Sequence, residues 1–191
     1  MKKLFLFFVV AIITGAMQNL FAQNEDPMKA YQDFMTPGEH HKRLAKEVGT
    51  WEADITHWME PSAPPGKTTG INVVTMTMNG LYQVGNFSCT IMGMAMTGQS
   101  ILAFDNAKKK YVLTWIDNFG SGIVMMTGTY NDAAKTLSLK GKQTNPVTGA
   151  DGDLREEIKY INDDMYTVTM YGAGMDGKEM KMMESIFKRK K

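Results

Sequence analysis

The chain has 191 residues, 21 of them basic and 20 acidic, for a formal net charge of +1, with one cysteine and three histidines. So even a balance sets up no field to hold nucleic acid or an anionic membrane. A lone Cys89 excludes an internal disulfide.

The chain opens with Lys2 and Lys3 ahead of the apolar run Leu4 to Ile13, then a short polar stretch ending Leu20-Phe21-Ala22. This order reads as an export signal over residues 1–22, with Ala22 the last residue removed. The run falls short of the roughly 20 residues that cross a bilayer, and no later segment is long and apolar enough, so no membrane span is expected. No cysteine stands near the cut to carry a lipid. The expected location is the periplasm or the medium. Residues 23–36 lack periodicity and are read as a flexible leader, which leaves residues 37–191 as a single domain large enough to bury its own core.

Thr36-Pro37-Gly38-Glu39 is a helix start, with a Thr cap, Pro in the first turn and Glu three residues after the cap. It predicts a helix from Pro37 to Val48 with Leu44, Ala45 and Val48 on one side and Gly49 ending it. His40 and His41 are adjacent on that helix, about 100° apart around its axis, a poor chelate better suited to a solvated face.

Beyond Gly49 the apolar residues recur with period two to the C-terminus, interrupted every 8 to 12 residues by turn formers. Ten strands are predicted, over about 50–59, 68–78, 82–90, 94–105, 110–118, 123–130, 136–143, 154–161, 165–171 and 178–189. Asn79-Gly80 suits a two-residue hairpin. Asp105-Asn106, Asn131-Asp132, Asn162-Asp163 and Asp176-Gly177 are turn formers, Asn145 to Gly149 is a longer loop, and the proline-rich Pro61 to Gly66 is a loop because proline cannot donate to a ladder. Ten sequential strands with short links favour an up-and-down meander, and closing it removes both exposed edges. The predicted fold is therefore all-β, an antiparallel barrel of about ten strands preceded by one short helix.

Gly49-Thr50-Trp51 opening the first strand after a helix, with Arg189 near the end of the last, resembles the calycin superfamily of lipocalins, fatty-acid-binding proteins and nitrobindin-like barrels. The resemblance implies that Arg189 stacks on Trp51 at a closed end. A match over nearly all of the exported chain is more specific. Met35 to His40, Val48 to Trp51, Ala63-Pro64-Pro65, Asp105 to Lys110, Trp115 to Asn118 with Gly120-Ser121-Gly122, and Asn145 to Gly149 resemble the bacterial domain-of-unknown-function family 1579. That resemblance implies a fold and no activity. A nitrobindin-like haem protein would need a histidine late in the chain; none follows His57, so haem is not expected.

In strand one an inward Trp51 places Ala53, Ile55, His57 and Met59 on the same face, with Glu52, Asp54 and Thr56 outside. His57 is then the one histidine able to line a cavity, as ligand grip, general base or metal ligand; the plainer reading is a rim histidine with an ordinary hydrogen bond. Sixteen methionines lie beyond the signal, many as Met-x-Met on one strand face: Met76 with Met78, and Met92, Met94 and Met96. Thioethers suit Cu(I), and they are also adaptable filler for an apolar cavity. Asp117 and Glu184 stand in otherwise apolar strands, Asp117 sharing a face with Leu113 and Trp115, Glu184 with Met180 and Met182. An interior carboxylate needs a partner, and Arg155 is the first one considered; strand ends facing water are the alternative.

No nucleophile elbow, phosphate loop or HExxH is present. The expectation is a binding barrel for a small hydrophobic or amphipathic molecule, with Trp51, His57, Met76, Met94, Trp115, Asp117, Arg155 and Glu184 as ligand contacts. The alternatives are an enzyme using His57 with Asp117 or Glu184 for acid-base work, and Cu(I) handling at Met92, Met94 and Met96.

Overall fold

The computed structural model describes residues 26–174 and 177–191. The export signal and its cut at Ala22 lie outside these residues. The chain divides into two units at Thr36/Pro37.

The first unit carries a helix where the sequence showed no period: α1, Pro27–Met35, none of it buried. Asp26 caps it, accepting from Met28 N at 3.0 Å, and Pro27 occupies its first turn. This is the cap-plus-proline signal that was read ten residues later. Thr36 serves the end of this helix, its Oγ1 donating to Gln32 O at 2.6 Å, instead of starting the next.

The second unit opens with α2, Glu39–Ala45, shorter than expected. Gly38 stands at its N-cap, and the Gly38 N–H donates to His41 Nδ1 at 3.0 Å. The buried face is His41, Leu44 and Glu47, spaced three apart; Ala45 and Val48, expected there, are exposed. His40 is no free surface group either, since it stacks on Phe104 at 3.8 Å and bonds Tyr111 Oη at 3.0 Å.

Ten antiparallel strands follow in sequence order: β1 Gly49–His57, β2 Gly66–Thr77, β3 Tyr82–Ile91, β4 Met94–Asp105, β5 Lys110–Asp117, β6 Val124–Asn131, β7 Thr136–Thr144, β8 Asp151–Asn162, β9 Met165–Ala173 and β10 Glu179–Arg189. Each pairs with its neighbours and β1 pairs with β10, so the meander closes into a barrel with no free edge. The β2–β3 link is a short 3₁₀ turn at Met78–Gly80, all three residues at positive φ, in place of a two-residue hairpin. Met59, expected on the inner face of β1, lies beyond the strand and is exposed.

Register fixes the facing. Trp51 pairs with Arg189 and Asn72, Ala53 with Phe187 and Gly70, and His57 with Met183 and Gly66, so these residues share the interior. Between Lys181 and Met183 the β9–β10 register slips by one residue. That bulge inverts the alternation, so Met183, Ser185 and Phe187 point inward and Glu184 points out, away from the face assigned from Met180. A second slip lies between Tyr160 and Asn162.

The core fills the barrel from the α2 end. Leu44, Trp51, Tyr111, Met126, Leu137 and Leu139 are each at most 1% exposed. Tyr166 stacks on Phe187 at 4.6 Å and meets Trp51 edge-on at 4.7 Å. Two side-chain bonds fasten α2 and the segment after it over this end: Gln83 Nε2 donates to Leu44 O at 2.9 Å, and Trp51 Nε1 to Glu47 O at 2.8 Å.

Candidate functional site: the open end of the barrel

The two ends of the barrel differ. At the α2 end Arg189 lies over Trp51, Cζ 4.2 Å from the ring centroid, as the calycin resemblance implied. Its guanidinium donates to Val48 O at 2.7 Å, Lys46 O at 2.8 Å and Asp163 O at 2.9 Å, tying three segments together. Arg43 stacks on Tyr130 at 3.4 Å and pairs with Asp132 at 3.0 Å. Beside this end a cleft of about 320 Å³ opens among Arg43, Glu47, Tyr130, Tyr160 and Arg189. Glu47 and Tyr160 are buried beside one another there, and burial pushes the Glu47 carboxyl up to about 7.

Towards the other end the inward side chains lose burial. Along β5 they run Tyr111 and Leu113, both buried, then Trp115 and Asp117, half-buried; along β4 exposure rises from 3% at Leu102 to 54% at Met94. Phe87, Cys89, Val124, Met170 and Met183 face in and are half-buried. The inward side chains are less covered on this side.

Glycines in the wall determine how the rings sit there. A Cβ on Gly66 would fall 2.3 Å from His57 Nε2, one on Gly70 2.5 Å from Phe87 Cζ, and one on Gly98 2.3 Å from Trp115 Cζ2. The three rings therefore lie flat on neighbouring strands, where a bulkier residue would push them across the interior. His57 Nδ1 is buried and has no hydrogen-bond partner. Asp117 turns back on its own segment: Oδ2 accepts from Trp115 Nε1 at 2.6 Å and Oδ1 from Phe119 N at 2.9 Å. No hydrogen bond links His57 to Asp117 or Glu184 among the described residues.

The predicted contacts thus separate into three groups. His57, Met94, Trp115 and Asp117 lie toward the open end, and of these only Trp115 and Asp117 are joined by a hydrogen bond. Trp51 and Met76 face inward at the opposite end, Trp51 beneath Arg189 and Met76 paired with Gln83. Arg155 and Glu184 are outside: Arg155 stacks on Tyr171 at 3.7 Å and pairs with Glu157 and Glu179 at 2.6 and 2.9 Å, and Glu184 pairs with Lys181 at 2.5 Å. Arg155 is therefore no partner for Asp117, because it alternates to the opposite side of the wall from Leu154.

The methionines do not gather as their spacing suggested. Met92 is in the β3–β4 turn at φ 51° and 74% exposed, leaving Met96 to meet the Cys89 thiol at 3.9 Å. Among the described residues no three His, Cys, Asp or Glu side chains come together as a metal site.

One interior residue escaped the sequence reading. Glu156 is 7% exposed, between inward Leu154 and Ile158 on β8 and opposite Leu139 and Met170. Burial alone pushes its carboxyl up to about 7. The alternation Leu154-x-Glu156-x-Ile158 was a sufficient signal for it.

No curated protein matches the sequence. Solved structures share the fold, two of them as follows. Rv2717c from M. tuberculosis is 12% identical with TM-score 0.59, over 82% of this chain and 100% of its own. The S-type phycobiliprotein lyase CPES from Guillardia theta is 10% identical with TM-score 0.56, over 80% of this chain and 93% of its own. The family model for DUF1579, a protein of unknown function, matches residues 36–189. With that span covering nearly the whole barrel unit, the chain belongs to the DUF1579 family.

Proposed function

We propose that this protein is a binding barrel whose open end admits a small hydrophobic or amphipathic molecule. The observation that supports this most is the burial gradient along β4 and β5, from a packed core at Leu102 and Leu113 to a half-buried, inward-facing lining at Trp115, Phe87, Met170 and Met183. Such a lining of aromatic and thioether groups is adaptable and apolar, with a few polar atoms to orient a guest. The orphaned His57 Nδ1 is one such atom. The basic and apolar opening of the chain favours a periplasmic or extracellular setting for this role.

Native mass spectrometry of the protein purified from its source organism, followed by solvent extraction, tests the reading. A stoichiometric small molecule released by solvent is expected. A protein at its unliganded mass that also takes up no apolar probe would contradict it.

A further inference from the structure

The inner wall has one sign of charge. Every lysine and arginine of the ten strands apart from Arg189, among them Lys67, Lys140, Arg155 and Lys181, occupies an outward register position. Arg189 sits at the closed end, its donors spent on backbone carbonyls and Asp164. The inward positions instead carry two acids, Asp117 and Glu156. Asp117 has two donors already. Glu156 faces the interior among apolar neighbours, and the adjoining inward residues of β7 and β9, Leu137, Leu139, Val168 and Met170, offer it no donor.

From this arrangement we infer that the interior selects an amphipathic amine or ammonium, its cationic head against Glu156 and its apolar tail along the Phe87, Trp115 and Met183 lining. The inference rests on the interior being the ligand site. A carboxyl set among apolar side chains is costly, and a guest N–H or cation removes that cost with a charge-assisted bond. An anionic amphiphile of the same length would bring a third carboxylate to a wall whose one inward arginine is spent at the closed end and whose other basic group is the single imidazole of His57, which is selection by repulsion as much as by attraction. The methionine lining does not oppose this choice, since thioether sulfur is a weak acceptor and polarizable.

Three probes with one tail separate the possibilities: decylamine, decanol and decanoate, titrated into the full protein below their micelle thresholds with Trp fluorescence or calorimetry as readout. Decylamine is expected to bind at least tenfold more tightly than decanoate, and Glu156→Gln to remove at least tenfold of the amine affinity while leaving decanol unchanged. Equal binding of amine and acid, tighter decanoate, or an amine affinity indifferent to Glu156→Gln would overturn the inference while decanol binding kept the ligand site itself intact. Failure of all three probes would overturn both. The comparison of probes on the unmodified protein stands even if the variant does not fold.

Discussion

Arg189 Cζ lies 4.2 Å above the centroid of the Trp51 ring while the same guanidinium donates to the carbonyls of Val48, Lys46 and Asp163. One planar group thus joins the last strand, the first strand, the segment after α2 and the β8–β9 turn. A lysine can stack or bond but cannot hold three carbonyls in that fork. Arg189→Lys is expected to lower stability by about 1–2 kcal/mol, from lost charge-assisted bonds. Urea denaturation checks it; a loss below about 0.5 kcal/mol would mean that the stack does not close this end.

Gly98 and Trp115 make a second prediction. A single added methyl would sit 2.3 Å from the indole, so Gly98→Ala displaces the ring from the wall. The expected cost is about 1–3 kcal/mol from overpacking, with a shifted Trp emission and several-fold weaker uptake of an apolar guest. Emission and uptake both unchanged would show that the ring has room elsewhere.

The Glu156 carboxyl, raised by burial from an ordinary value near 4.5 to about 7, makes the folded state the stronger proton binder between those values. Its contribution is therefore favourable at low pH and lost as pH rises from 4.5 towards 7. Glu156→Gln removes the titration. Compared with the unmodified protein, the variant should gain about 3 kcal/mol in relative stability between pH 4 and pH 8, since each pKa step is about 1.4 kcal/mol. Glu47, raised in the same direction, is present in both proteins and cancels. Denaturation midpoints at the two pH values read this directly, and a constant difference between variant and parent would mean that Glu156 is well solvated.

The barrel was legible because period-two alternation is a physical consequence of burying one sheet face, and closure follows from having ten sequential strands and no covered edge. Alternation also grouped Trp51 with Ala53, Ile55 and His57, and Asp117 with Leu113 and Trp115, without deciding which side of the wall Asp117 faces. It failed at Glu184, because the slip between Lys181 and Met183 is a backbone event with no residue signature of its own. It was not applied at Glu156, where the charged run Arg155-Glu156-Glu157 looks like surface until each residue is placed on its own side. Thr36 misled because two helices meet at it, and a Thr can bond back to the helix before as readily as it caps the one after. The flat rings over Gly66, Gly70 and Gly98 depend on cross-strand neighbours that only the register supplies.

The central claim, an interior open at one end, is tested most directly by titrating the uncharged fluorophore N-phenyl-1-naphthylamine into the protein and into Val124→Trp, which places a second indole beside Trp115 at the open end. The account predicts saturable one-to-one fluorescence enhancement in the parent and at least tenfold weaker binding in a variant that melts at a similar temperature. No saturable enhancement, or the same affinity in both proteins, would contradict it.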